Sequence, residues 1–475
     1  MIDYNTFLAS KRLTAQPVGF DVAPNAINPA LFDWQRDTTR WSLQRGRAAL
    51  FERYGLGKTA QLLAWSDQVM QKTNKPILIL SPLGAAKQTA HIEAPKFGYT
   101  AQYARWKEDV TRPGLFVTNY EKLHLFDPRA FGGVVLDEAS IMKDFSGKTR
   151  NLLMEMFAQT PYKLLCTATP APNDYVELGN YAQFLGIMSY AEMLSTFFEH
   201  DGGDTSKWKM MVWGEKRFWE WLASWAMLIR SPSDLGYSDE GYNLPPMHFH
   251  TIDVKLTEAQ YQSSDGAQLY LFPVEARGLS AQRNARKVSM ADRVKGIAEI
   301  INASNEQWIV WGETNSECDL ATRMIRDSVQ VAGRDTEQHK EDSAVRFVRG
   351  DIRVLISKAS IFGHGLNWQH CHNAAYLGWS NSFEGFDQSL HRIHRYGQQY
   401  EVHVHIATTD FDGAIVRNIE RKRSEYNHMM DKVIEHTKAI NSADIHQASR
   451  QISEYQPQQT MRLPAWLQEQ RHVSV

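Results

Sequence analysis

Three things are scarce in this 475-residue chain: cysteine, long apolar runs and surplus charge. The three cysteines, Cys166, Cys318 and Cys371, are odd in number and far apart. That excludes a disulfide framework or a cysteine-rich zinc site and predicts buried thiols. No uninterrupted apolar run reaches the roughly 18 residues that a membrane span needs. The start, MIDYNTFLASKRL, lacks the basic-then-apolar order of a secretory signal, so a cytoplasmic protein is expected. The formal charge of −2 excludes a globally basic chain, and any polyanion would have to be held in a local groove. One glycine is also missing. The stretch FERYGLGKTAQ (51–61) ends as a phosphate-binding loop ends, yet Glu52 stands where the full pattern wants its first glycine.

What is present is ordinary folded composition, 43% hydrophobic and 22% charged, at a length that allows two or three domains. Two long regions alternate short apolar runs with helix-like stretches, the grammar of parallel sheets with crossover helices. The first, roughly 30–180, offers strands at ILILS (77–81), LFVTN (115–119), GVVLD (133–137) and KLLCTAT (163–169). The second, roughly 290–415, offers QWIVWG (307–312), RVLIS (353–357), NAAYLGW (373–379) and EVHVHIA (401–407).

Between them, 180–245 reads as helical and holds five of the fourteen tryptophans, Trp208, Trp213, Trp219, Trp221 and Trp225. Phe218, Leu222, Trp225 and Ile229 step by four, three and four, as on one helix face. Such a face serves either as a packed interior or as a platform for stacked bases. The linker PSDLGYSDEGYNLPP (232–246) breaks regular structure. From Asp412 a long helical pattern carries Ile415, Ile419, Tyr426, Met430 and Val433, with Arg417, Arg421, Lys422 and Arg423 beside them, a solvated face or one that touches phosphates.

Gly-Lys-Thr alone is a weak signal, equally a plain glycine start to a helix. Followed by AQLLAWSDQVM, it would aim backbone amides and a helix N-terminus at a phosphate, with Lys58 on the β/γ oxygens and Thr59 on Mg²⁺. In VVLDEAS (134–140) an apolar strand ends in two adjacent carboxylates. Asp137 would share the metal with Thr59, and Glu138 would orient or deprotonate an attacking water.

With these motifs in this order the chain, from about residue 31 to 425, resembles a superfamily 2 helicase or translocase, closest to the Swi/Snf-like branch. In that branch the loop commonly reads D-E-M-G-L-G-K-T-x-Q, so the first glycine is normally absent there as well. Glu52 takes the acidic place, while Arg53 and Tyr54 depart from the usual pair. The resemblance implies that Gln35, in LFDWQRD, reads the adenine edge, and that Gly55, Gly57, Lys58 and Thr59 bind ATP. It implies that Ser81, in ILILSPLG, and Thr118, Asn119 and Tyr120, in VTNYEKL, grip the phosphates of one DNA strand. Thr167 and Thr169 of TATP would couple hydrolysis to the DNA-facing surface. KASIFGHGLNWQHC resembles K-A-G-G-x-G-L-N with two extra residues, which puts Gly365 at the nucleotide. DQSLHRIHRYGQ (387–398) matches Q-x-x-x-R-x-H-R-x-G-Q at every fixed place, so Arg392 and Arg395 would reach the γ-phosphate, with Gln388 on the same helix face.

The implied fold is α/β: two RecA-like parallel-sheet domains in tandem, with a helical insert between them and a C-terminal helix. The expected boundaries are 1–180, 181–245, 246–411 and 412–475. The implied cofactors are ATP and Mg²⁺, and the implied partner is double-stranded or branched DNA. A compact phage or prophage form acting in replication, recombination or repair is the expected setting, with a strand-separating helicase and a non-translocating ATP-switched loader as alternatives.

Overall fold

A computed structural model describes residues 14–143, 147–171, 174–201, 204–255, 279–362, 367–380 and 382–445. Among them fifteen strands form two parallel sheets and one hairpin. The first sheet has seven strands in the order β3-β4-β2-β5-β6-β1-β9. Their ranges are β1 Arg47–Glu52, β2 Ile77–Ser81, β3 Ala101–Tyr103, β4 Leu115–Asn119, β5 Gly133–Asp137, β6 Tyr162–Thr167 and β9 Ala226–Ile229. The second sheet has six in the order β10-β15-β14-β11-β13-β12. These are β10 Met247–Asp253, β11 Trp308–Gly312, β12 Ser328–Val331, β13 Val354–Lys358, β14 Asn373–Tyr376 and β15 Val402–Thr408. Strands β7 Phe198–Asp201 and β8 Asp204–Met210 pair antiparallel as the hairpin.

Successive side chains of a strand point to opposite faces, and a parallel sheet is covered on both, so its strands read as unbroken apolar runs. Phe51, Leu78, Leu80, Val134, Leu136 and Leu165 enter one core. Their neighbours Leu50, Ile77, Ile79, Val135, Leu164 and Cys166 enter the other. The second sheet divides in the same way, Ile309 and Trp311 on one side and Trp308 and Val310 on the other. All three cysteines are buried free thiols.

The stretch read as a helical insert is different in kind. The helix Glu215–Ala223 stops before Trp225, and Ala226–Ile229 is not helical but β9, paired with β1 at the sheet edge. Phe218, Leu222, Trp225 and Ile229 are fully buried, yet on three local structures rather than one helix face. A four-residue apolar run carries no period of its own, which is why the spacing misled. Trp219, Trp221 and Trp225 form packed interior; Trp213 is exposed.

The last described element, the helix Gly413–Ile445, is 33 residues long, which spans about 50 Å. Ile415 and Ile419 pack with Phe383 of the second domain. Further along, Met430, Val433 and Ile434 enter the first domain's core. His436 stacks on Trp219, and Asp444 takes an ion pair from Arg45 at 2.7 Å. One rod therefore ties both domains. Of the cations expected on its surface, Arg421 pairs with Glu425 one turn on, and Arg423 lies over the Phe249 ring. Among the described residues no helix is long and apolar enough to cross a membrane.

Candidate active site

The order β5-β6-β1 places three carboxyl-end loops side by side, and in open parallel sheets ligands bind outside those ends. From β1 the chain turns through residues 53–57 into the helix Lys58–Thr73. Gly55 (φ 83°) and Gly57 (φ 82°) are both left-handed, a conformation that a side chain would penalise by roughly 1–2 kcal/mol. The turn leaves the first amides of the helix pointing outward as an anion-binding end. Lys58 Nζ donates to the carbonyls of Glu52 at 2.7 Å and Arg53 at 3.1 Å. Its ammonium stands over the Tyr54 ring. Burial lowers its pKa, against the nearby charges of Glu138 and Glu52.

Glu52 itself is completely buried. Burial pushes its carboxyl up to about 7, opposed by Lys58 and by the amide of Gln61, which donates to it at 2.8 Å. At the end of β5, Asp137 is raised to about 6, by burial first and by the charge of Glu138 second. Glu138 follows with φ 55°, a left-handed non-glycine residue. Such strain costs on the order of 1–3 kcal/mol and concentrates at functional sites. Its Oε2 is buried with no hydrogen-bond partner.

These donors suit a hard dication. Mg²⁺ takes oxygen ligands, needs only one or two carboxylates, and fills its shell with phosphate and water. Asp137, Glu138 and the Thr59 hydroxyl supply that donor set. Among the described residues no group of three or more His, Cys, Asp and Glu forms a cage of its own.

Several residues expected to touch ligand are engaged elsewhere. Gln35 is buried, its amide oxygen accepting from Phe32 N at 3.0 Å and its amide nitrogen donating to Leu56 O at 2.8 Å. It props the phosphate loop instead of presenting an edge to a base. Ser81, Thr118, Asn119 and Tyr120, expected at DNA phosphates, are all buried. Ser81 Oγ donates to Asp137 Oδ2 at 3.0 Å, and Tyr120 Oη donates to the Asp137 carbonyl at 2.7 Å. Asn119 caps the following turn by accepting from Lys122 N. The reason is the sheet order β4-β2-β5, which puts the ends of β2 and β4 beside Asp137 rather than on an outer surface. Gly365 lies outside the described residues.

The second domain closes on this site. Its helix Phe383–Leu390 ends before the arginines, so Arg392 and Arg395 lie in the turn after it rather than on one face with Gln388. Gln388 is buried and donates to Glu384 at 3.3 Å. Gln398 fixes the arginine turn, its amide donating to the carbonyls of Cys371 and Ile393 at 3.0 Å each. Arg392 is buried, its pKa lowered by burial and supported by the charges of Glu138, Tyr54 and Asp137. Arg395 is lowered to about 10, by burial and then by Arg392. A Cβ on Gly55 would lie 2.9 Å from Tyr396 N and 3.4 Å from Arg395 Cβ, so the two backbones meet at the phosphate loop. Tyr54 and His391 stack across the same boundary at 4.7 Å and 20°. That pair was not anticipated; its only signal was the departure of Tyr54 from the usual loop.

On β6, Thr169 N donates to Thr167 Oγ1 at 3.1 Å, and Thr169 Oγ1 donates across the boundary to Glu384 at 3.4 Å. Tyr426 of the long helix donates to Ala168 O at 2.5 Å. Beyond these contacts an interdomain cleft of about 1330 Å³ opens, bordered by Lys87, Glu138, Lys143, Lys340, Lys358 and Trp368.

No family model matches the sequence. Over 435 residues, 82% of this chain and 76% of the other, it is 23% identical to an uncharacterized ATP-dependent helicase of Bacillus subtilis (strain 168). Two structures of the Sulfolobus solfataricus SWI2/SNF2 ATPase core are similar. The one in complex with double-stranded DNA has TM-score 0.41 at 17% identity, covering 89% of this chain and 98% of that one. The other has TM-score 0.39 at 18% identity, covering 87% and 94%.

Proposed function

We propose that this chain is a Swi/Snf-like superfamily 2 enzyme that hydrolyses ATP and uses the cycle to translocate on duplex or branched DNA. The observation that carries the reading is the approach of Arg395 and Tyr396 to Gly55 across the domain boundary, with Arg392 near enough to Glu138 and Asp137 to feel their charge. Loop amides and Lys58 would hold the β- and γ-phosphates. Bound Mg²⁺, held by Thr59 and Asp137, would neutralise charge on the phosphate oxygens. Glu138 would take a proton from the water whose oxygen bonds to the γ-phosphorus as the bond to the β-γ bridging oxygen breaks. Arg392 and Arg395 would stabilise the charge spread over the transferred group. Thr167 and Thr169 are proposed to pass the state of the site to the cleft, whose lining carries both signs, Lys340, Arg349 and Lys358 beside Glu93, Glu121 and Glu313.

The proposed setting is cytoplasmic DNA replication, recombination or repair, in a bacterium or a phage-infected cell. The hairpin β7–β8, with Val212 and Trp213 exposed just after it, favours carrying strand separation as the second reading. The test is the ATPase rate on single-stranded, duplex and forked DNA over a range of lengths. A translocase turns over faster as duplex lengthens, and a strand-separating enzyme responds most to forks. A rate indifferent to DNA length would instead mark an ATP-switched clamp.

A further inference from the structure

Glu384 is the second residue of the helix Phe383–Leu390, whose start is capped by Ser382 Oγ accepting from Gly385 N at 3.0 Å. Its side chain keeps 14% of its exposure and faces the first domain. There it forms an ion pair with Lys143 and accepts from Thr169 Oγ1. Within its own helix it accepts from Gln388 Nε2. One carboxylate of the second domain thus joins two first-domain loops, the one five residues beyond Glu138 and the one at the end of β6.

Both ends of this link are held by further hydrogen bonds. Lys143 O accepts from Asn180 Nδ2 at 3.0 Å, and Asn180 Oδ1 accepts from Arg150 Nε at 3.1 Å, so the first-domain end is anchored in buried polar structure. On the other side the helix carries any displacement of Glu384 directly into the turn of Arg392. That turn is held by Trp368 N donating to Arg392 O at 2.9 Å. Opening of the domains would break the contacts to Lys143 and Thr169 together, leaving the carboxylate with Gln388.

We propose that Glu384 is the positioning residue that registers the arginine turn of the second domain against the Asp137–Glu138 and Thr167–Thr169 loops of the first. It touches no reacting atom and acts through Arg392 and Arg395. The inference rests on the ATPase reading above. It differs from the pair of Lys87 with Glu337 at 2.8 Å, where the carboxylate is 56% exposed and the pair is screened by solvent.

The experiment is a kinetic and distance comparison of Glu384→Gln, Lys143→Met, their double variant and Glu337→Gln. Glu384→Gln is expected to lower DNA-stimulated kcat about 10- to 100-fold, with KM for ATP within about threefold, because an interaction that aligns only the closed state is lost. The double variant should be no worse than the worse single, since both remove one contact. Glu337→Gln, which breaks the exposed pair with Lys87, should stay within about twofold. Domain closure is read separately by energy transfer between dyes on Lys107→Cys and Arg334→Cys, both exposed, the native thiols being buried. Glu384→Gln should shift that distance towards the open form. Unchanged kcat with unchanged transfer would overturn the proposal, as would strictly additive single effects. Parallel loss of kcat, ATP affinity and thermal stability would show a merely structural role and overturn it too. If the parent hydrolyses no ATP on any DNA, the enzyme reading fails, while the dye distance still decides the role of Glu384.

Discussion

Glu52 gives the site a measurable pH signature. Its carboxyl is fully buried and stands at about 7 rather than 4.5, raised by burial against the pull of Lys58 and Gln61. Below pH 4.5 the folded and unfolded chains both hold this proton, and it contributes no pH dependence. Between 4.5 and 7 the unfolded chain releases it while the folded chain keeps it, so rising pH favours unfolding by about 1.4 kcal/mol per pH unit. Above 7 the folded chain ionises as well, and a constant cost of about 3 kcal/mol remains. Asp137, raised to about 6, adds a slope of the same sign, so a single curve cannot isolate Glu52. Glu52→Gln can, because it removes one titration while leaving an oxygen for the Gln61 amide. The new amide protons add an offset that does not depend on pH. Urea unfolding of parent and variant from pH 4.5 to 8 should give a difference that moves by about 3 kcal/mol in favour of the variant, nearly all of it below pH 7. Two parallel curves would refute a buried carboxyl with a raised pKa beneath the phosphate loop.

Lys58→Ala should abolish hydrolysis and weaken ATP binding, whereas Glu138→Gln should retain bound ATP and lose turnover; equal losses of affinity, measured with a fluorescent nucleotide, would show the roles misassigned. Arg395→Ala should bind ATP and DNA nearly normally yet turn over at a rate lower by about 10³ or more. Lysine should not restore it, because the fork of donors is lost although the charge remains; full DNA-stimulated turnover in Arg395→Ala would remove the interdomain site. Trp225→Ala, at a fully buried position beside Phe51 and Trp221, should cost about 3–5 kcal/mol in urea unfolding. Unchanged stability with reduced DNA affinity would reverse the reading of the tryptophans as interior.

The strands ILILS, LFVTN and GVVLD were legible to the residue because a strand covered on both faces is apolar throughout, and the flanking turns cut it cleanly. Strand β1 was not. RAALFE has two alanines after an arginine and no β-branched residue, so its place second from the edge of the first sheet follows only from pairing with β6 and β9. Spacing identified Asp137, Glu138, Lys58 and the two arginines as a group, since each lies at the end of a recognisable element. It did not disclose which hydroxyls serve them. Ser81 ends β2 beside β5 and Tyr120 follows β4 one strand further out, and sheet order, which no local pattern contains, turns both hydroxyls to Asp137. The same holds for Gln35, whose amide is taken up by backbone groups brought close only by the fold.

The charge arrangement supplies a reason for the domains to meet where they do. Burial lowers the pKa of Lys58, Arg392 and Arg395 and raises that of Glu52 and Asp137, so the charged form of every one of these groups is penalised at once. The two sets relieve each other only in part: Lys58 offsets Glu52 and Asp137, and Glu138 offsets Lys58 and Arg392, but for each group burial is the larger effect. Contact at the boundary combines uncharged surfaces, the Tyr54–His391 stack and the backbone approach at Gly55, with the Lys143–Glu384 ion pair. A polyphosphate entering between these surfaces would bring several negative charges to three desolvated cations, where low dielectric makes the interaction strong. Stabilisation of the transferred group would then depend on the second domain being closed, since two of the three cations belong to that domain. Hydrolysis divides the ligand between the two sides of the boundary and weakens the reason for closure. In the proposed cycle, binding and hydrolysis thereby become opposite forces on one domain interface.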